Sequence, residues 1–273
     1  MSTCLVALGS NLGDRRATLD AALAALAAAP ATQLLCHSTW HRTQPVGMAG
    51  SLHEFLNGAA LVETTLEPEA LLEVLQRIET AHGRRPGQRW TDRTLDLDLL
   101  LVDQQIIDTP ALVVPHARMS YRRFVLQPAA EIAGDFLHPV LGWTIDQLCE
   151  HLAAPGNLAA IVSPREQERS ELVAGIAGQR SVELVDPPPG KEVSQLWPGE
   201  STTWFRVAAE GKGADASTAA SQRPKLTILL NSGPTVERQP GRGPTLVLRD
   251  LDPAAAEREA RAAVEAVWPD LGR

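Results

Sequence analysis

Two aspartates one residue apart, Asp96 and Asp98, stand in the segment Thr94-Leu95-Asp96-Leu97-Asp98-Leu99. Residues two apart on a strand share a face, so both carboxylates point one way while Leu95, Leu97 and Leu99 point the other. Their separation of roughly 7 Å, from a rise of about 3.3 Å per residue, suits carboxylates converging on one or two hard divalent cations. Mg²⁺ takes a few carboxylates together with phosphate oxygens of a substrate. Arg84, Arg85, Arg89 and Arg93 lie just upstream, with Trp90 among them. Guanidinium groups stay charged and grip phosphate through paired hydrogen bonds. An arginine-rich loop beside two carboxylates is therefore what a nucleoside triphosphate with Mg²⁺ needs. The competing reading is that the aspartates are the wet face of an edge strand, neutralised by the arginines. It has to explain why an Arg loop, a Trp and two Asp are packed between Arg84 and Asp98.

Other residues could join such a site. Phe55 and Asn57 share a strand face and offer a ring to stack on and an amide that both donates and accepts, which suits a flat heterocycle with an amide edge. Taken alone they read equally as a core Phe beside a satisfied Asn. Gln76 and Glu79 are three apart, on one helix face that could look toward the same cleft. Gly9-Ser10-Asn11-Leu12-Gly13 follows a strand and opens a helix, as a phosphate loop would, but it lacks the Gly-Lys-Ser/Thr of a P-loop. His116, Arg122, Arg123 and Phe124 offer further cationic and aromatic contacts. His37, His41 and His53 have no zinc spacing. No nucleophile with an attendant base is apparent, so the chemistry points to transfer by positioning and electrostatics.

These side chains need a scaffold. Thr3 to Gly9 is a short apolar run, and Asp14 then opens a segment with Leu19, Leu23 and Leu26 at helical spacing. Leu34 to Arg42 and Phe55 to Thr64 read as strands separated by turn-prone residues. Pro68 starts a helix carrying Leu71, Leu72, Leu75 and Ile78, which stops at Gly83. Leu95 to Val102 is a strand whose far end is buried. The order βαββαβ is the split βαβ of ferredoxin-like α+β folds.

Composition sets the outer limits. The chain has 273 residues, 44% hydrophobic and 21% charged, and no apolar run long enough to span a bilayer. Global disorder and a fibrous chain are excluded. The net charge of −8 argues against a general nucleic-acid binder. Three cysteines without CxxC spacing fit a reducing compartment, so a cytoplasmic location with no membrane partner is expected. Length suggests two domains, with a boundary near Pro155-Gly156: a catalytic unit over 1–157 and a further unit over 158–273.

Five blocks in order resemble a known family: Val6 to Asp14, Arg42 to Gly47, Phe55 to Ala59, Arg89 to Asp98, and Val114-Pro115-His116. They are similar to 6-hydroxymethyl-7,8-dihydropterin pyrophosphokinases over about residues 1–155, and Arg93-Thr94-Leu95-Asp96-Leu97-Asp98 is the most specific block. The resemblance implies a ferredoxin-like fold and transfer of pyrophosphate from ATP to the dihydropterin, with release of AMP in folate biosynthesis. It implies that Asp96 and Asp98 ligate two Mg²⁺ ions and that Arg84 and Arg93 are catalytic-loop arginines. Arg89, His116 and Arg122 would bind phosphate, while Gln76, Glu79, Trp90 and Leu99 align with nucleotide-site positions. Phe55, Asn57 and Phe124 resemble the pterin sandwich and its amide reader, with Thr43 and Val46 adding backbone contacts and Trp90 and Asp96 also near the pterin. Segments 46–52 and 84–91 would be lids closing over the substrates.

Residues 158–273 carry no second catalytic motif. Val182 to Val185, Trp204 to Ala208, Lys225 to Leu230 and Thr245 to Leu248 read as strands, and Asp252-Pro253 opens a helix through Val267. A small α/β module serving packing or oligomerisation is expected. The alternative for the whole chain is a catalytically impaired pterin- or nucleotide-binding relative acting in regulation or interaction. That alternative draws on Asp92, an acid placed where triphosphate must bind.

Overall fold

The computed structural model describes residues 1–46, 53–83, 94–177, 182–186, 201–207, 224–230, 243–249 and 251–269, a mixed assembly of helices and strands. The first sheet is laid down by β1 (Ser2–Ser10), β2 (Thr32–His37), β3 (His41–Thr43), β4 (Phe55–Thr64) and β5 (Asp96–Val102). Its order is β2-β4-β1-β5 with every neighbouring pair antiparallel, and β3 continues the β2 edge along β4. Two helices lie between these strands in sequence, α1 (Arg15–Ala27) and α2 (Pro68–Ala81). Asp14 caps α1 by accepting from the Ala17 N–H. Pro68 occupies the first turn of α2, where its missing N–H costs nothing.

Alternation along β1 divides the core. Cys4, Val6 and Leu8, with Ala60, Val62, Leu97 and Leu99, pack against Leu19, Leu23 and Leu26 of α1 and Leu71, Leu75 and Ile78 of α2. Leu5, Ala7, Ala59 and Leu61 face the other way, onto Val125, Leu126 and Ala129 of α3 (Arg123–Ala133). Leu95, Leu97 and Leu99 are all buried on the α1/α2 side, opposite Asp96 and Asp98.

The sequence reads as one strand from Leu34 to Arg42, but the structure divides it at Ser38 to Trp40. Ser38 is buried there, and its hydroxyl accepts the Ala59 N–H at 2.9 Å while its own N–H donates to the Ala59 carbonyl. A side chain thus takes over a backbone acceptor's job, and the strand breaks without orphaning its partner. Trp40 turns across β4 at Gly58, where a Cβ would stand 2.3 Å from the indole.

Beyond β5 come two small hairpins, β6 (Ile107–Asp108) with β7 (Val113–Val114) and β8 (Leu137–His138) with β9 (Trp143–Thr144). Helix α4 (Ile145–Ala153) follows, opened by a reciprocal cap between Thr144 and Gln147. A second sheet contains β10 (Leu158–Val162), β11 (Val182–Val185), β12 (Thr202–Val207), β13 (Leu226–Leu230) and β14 (Thr245–Leu248). Its order is β11-β12-β10-β13-β14, parallel through β10, β13 and β14 and antiparallel on the other side. Helices α5 (Glu166–Ala177) and α6 (Pro253–Val267) accompany it, and Glu257 and Arg261, one turn apart on α6, form an ion pair at 2.5 Å.

The two sheets share one apolar cluster, from Leu5 and Leu101 through Met119, Tyr121 and Leu152 to Phe205, Ile228, Val264 and Trp268. Polar ties reinforce it. The Lys225 ammonium donates to the carbonyls of His151 (2.6 Å), Leu152 (2.8 Å) and Ala154, closing the C-terminal end of α4. The Trp268 indole N–H donates to the Gly156 carbonyl at 3.1 Å. Among the described residues no helix is long and apolar enough to cross a membrane.

Candidate active site

The register of the first sheet puts three residues in one row. Gly9 of β1 pairs with Asn57 of β4 on one side and Asp96 of β5 on the other. The neighbouring row is Ala59, Ala7, Asp98. Directly paired residues point to the same face, so Asn57, Asp96 and Asp98 rise from the side of the sheet that α3 covers farther along. Gly9 and Ala7 leave room between them, and a hollow of about 240 Å³ opens there.

One end of the hollow is aromatic and neutral. Phe55, Asn57, Thr43, Val46 and Phe124 line it. The Asn57 side-chain amide donates to the Thr43 hydroxyl at 2.7 Å, which fixes which end of the amide is which. A Cβ on Gly9 would lie 2.9 Å from Asn57 Oδ1, so glycine is what allows Asn57 to reach across β1.

The other end is charged, lined by Asp96, Asp98, His116, Arg118 and Arg122. His116 follows the cis Val114–Pro115 bond, and its N–H donates to the Leu100 carbonyl at 2.9 Å, which pins the segment to β5. Its Nε2 stands 3.8 Å from Asp98 Oδ2. Burial pulls the imidazole down to about 4, with Asp98 opposing and the Arg122 and Arg118 charges adding to it. His116 is thus a neutral group near pH 7, where the sequence reading counted it among cationic contacts. Arg122 stacks over Phe124 at 5.5 Å from the ring centre, linking the two ends.

The chain matches the family model for 7,8-dihydro-6-hydroxymethylpterin-pyrophosphokinase (HPPK) over residues 5–134. A Pseudomonas aeruginosa 2-amino-4-hydroxy-6-hydroxymethyldihydropteridine pyrophosphokinase is 46% identical over 134 residues, covering 49% of this chain and 82% of the relative. A Haemophilus influenzae protein of the same name is 39% identical over 154 residues, 55% of this chain and 96% of the relative. The chain belongs to the HPPK family. Among solved structures, the Plasmodium falciparum HPPK-DHPS wild type with pteroate aligns at TM-score 0.44 and 14% identity, over 55% of this chain and 42% of that one. Nearly the whole Haemophilus relative is covered by little more than half of this chain, so most of the second sheet and helix α6 have no counterpart there.

Of the candidate residues read from sequence in this HPPK chain, the structure gathers Thr43, Val46, Phe55, Asn57, Asp96, Asp98, His116, Arg122 and Phe124 around the one hollow. Three lie elsewhere. Gln76 is exposed on α2, and Leu99 is buried on the α1/α2 side. Glu79 is buried as well, its Oε1 accepting the Leu97 N–H at 2.7 Å. It closes the backbone of β5, the last strand of the sheet, from behind. Arg84, Arg89, Trp90 and Arg93 fall outside the described residues, as do most of the two lid segments. Gly9 and Ser10 belong to β1, so the glycine serves the hollow as a gap in the sheet. Gln44 and Arg118 line the hollow without having been singled out. The signal for Arg118 was its place between His116 and Arg122.

Among the described residues no group of three or more His, Cys, Asp or Glu side chains forms a metal cluster. Two carboxylates on one face of one hollow nonetheless fit Mg²⁺, which is commonly held by one or two protein carboxylates and completed by substrate phosphates and water.

Proposed function

We propose that this chain transfers the β,γ-pyrophosphoryl group of ATP to the hydroxymethyl group of 6-hydroxymethyl-7,8-dihydropterin in folate biosynthesis, releasing AMP. The observation that carries the reading is the row Asn57, Gly9, Asp96. In a chain of the HPPK family, it sets an amide and, with Asp98 of the neighbouring row, a carboxylate pair at the two ends of one hollow.

The dihydropterin takes the neutral end, its ring against Phe55 and Phe124 and its amide edge on Asn57, with Thr43 orienting that amide. The phosphate chain takes the charged end, beside Arg122 and the neutral His116. The hydroxymethyl oxygen forms a bond to the β-phosphorus as the bond from that phosphorus to the α-bridging oxygen breaks. AMP leaves with the bond electrons, and the hydroxyl proton is released. Asp96 and Asp98 would hold two Mg²⁺ ions, which when bound neutralise charge along the phosphate chain. From the sequence resemblance, Arg84, Arg89 and Arg93 add cations and Trp90 a nucleotide contact, while Gln76, Glu79 and Leu99 belong to the nucleotide side. The structure offers Glu79 an indirect part, since it fixes the β5 backbone between the two aspartates.

We read residues 1–157 as the catalytic unit, with a ferredoxin-like arrangement supported by the order β2-β4-β1-β5, and residues 158–273 as an α/β unit. The chain's three free thiols, Cys4, Cys36 and Cys149, all lie in residues 1–157 and support a cytoplasmic setting. The test is AMP release from ATP that requires both Mg²⁺ and the dihydropterin. Binding of both ligands without turnover would instead favour an impaired regulatory relative.

A further inference from the structure

The charged end of the hollow is walled by a segment that the second sheet and α6 hold in place. His116, Arg118 and Arg122 line the hollow, and between them Met119 and Tyr121 are buried in the apolar cluster shared by the two sheets. The Ser120 hydroxyl accepts the Thr245 N–H at 3.2 Å and lies 3.3 Å from the Thr245 carbonyl, fastening the segment to the start of β14. Arg118 Nη2 donates to Glu259 Oε1 of α6 at 2.8 Å. The Glu259 side chain is only 13% exposed and that of Arg118 33%, so this pair is far less hydrated than a surface ion pair. Arg261 of α6 is engaged elsewhere, by Glu257 and by the Gly175 carbonyl.

Arg118 has five N–H donors in a rigid fork, and Glu259 is bonded to one nitrogen of it. The rest of a group that lines the hollow beside Asp98 and Arg122 is left to an anion there. We propose that Arg118 binds the phosphate chain of ATP and that Glu259 is its positioning residue, so that the C-terminal unit helps to build the catalytic centre. This rests on the pyrophosphokinase reading. The Haemophilus relative, covered over 96% of its length by 55% of this chain, has no stretch aligned with Glu259, so the device is an addition of this chain.

The experiment is steady-state AMP formation by the full-length chain, comparing wild type with Arg118→Gln, Arg118→Lys, Glu259→Gln, Glu259→Asp and the double variant Arg118→Gln/Glu259→Gln, each checked by thermal melting. Losing a charge-assisted contact predicts a rise of about tenfold in KM for ATP in Arg118→Gln. Glu259→Gln should raise it several-fold, with kcat and the dihydropterin KM nearly unchanged, and Glu259→Asp should recover part of the loss. In the double variant the Glu259 change should add nothing, because its effect passes through Arg118. Should Arg118→Gln not fold, Arg118→Lys carries the comparison. An unaltered ATP KM in Glu259→Gln, or an equal rise with and without Arg118, overturns the proposal while leaving the pyrophosphokinase reading in place. Absence of AMP formation by wild type overturns that reading and this proposal together.

Discussion

Gly9 and Asn57 are paired across β1 and β4 so closely that a single added carbon on Gly9 would lie 2.9 Å from Asn57 Oδ1. The amide can stay over β1, toward Asp96, only while position 9 has no side chain. Gly9→Ala should therefore displace Asn57 and raise the dihydropterin KM by about tenfold or more, with a stability loss of about 1–3 kcal/mol from crowding. Kinetics and denaturant melts check both. Unchanged dihydropterin affinity would remove Asn57 from the pterin site.

Asp96 and Asp98 put two carboxylates on one strand face, with the intervening Leu97 turned the other way. Replacing either by Asn keeps the volume and removes the charge. Turnover should fall at least about a hundredfold, while melting temperature holds or rises, because functional charge clusters cost stability. An Asp98→Asn chain that keeps its Mg²⁺-dependent rate would refute the metal-ligand assignment.

His138 supplies a pH dependence remote from the site. Burial holds its imidazole at about 4, below the ordinary 6.5, and Nδ1 faces the Leu141 N–H at 3.4 Å. Between those values the unfolded chain binds a proton that the folded chain does not, so stability is full above about 6.5 and declines as pH falls toward 4. The slope from this residue is about 1.4 kcal/mol per pH unit. Urea unfolding at pH 7, 6 and 5 should show a shallower decline in His138→Gln than in wild type; equal slopes would mean that His138 is not the group responsible.

Shortening the chain at residue 157 would strip partners from Met119, Tyr121, Leu148 and Leu152, all almost fully buried. Exposing each large apolar side chain costs about 1.5–3 kcal/mol, so the four together cost about as much as the whole net stability of a typical domain. The fragment is expected to aggregate or to lose its near-ultraviolet circular dichroism. A soluble fragment with full activity would show the shared core to be dispensable.

The first sheet was legible because its signals are local. Phe55 to Thr64 carries a continuous β-type run, Pro68 and Asp14 mark helix starts, and Asp96 and Asp98 alternate with leucines. Residues whose role depends on a distant partner were not legible. Ser38 breaks a strand because its hydroxyl meets Ala59. Glu79 sits beside Gln76 by helical spacing, yet turns inward to take the Leu97 N–H. Arg118 looks like an ordinary surface cation until Glu259, 141 residues later, folds against it. β10 was missed because Leu158 to Val162 is a short apolar run that periodicity alone does not assign. α5 was missed because its apolar residues are outnumbered by charged and polar neighbours.

The Lys225 ammonium reaches back 73 residues to the Leu152 carbonyl. On the ribosome, at about 5–20 residues per second, the end of α4 therefore emerges roughly 4–15 seconds before the lysine that closes it. Through that interval the buried face of α4, with Leu148 and Leu152, waits for the strands and helix that cover it.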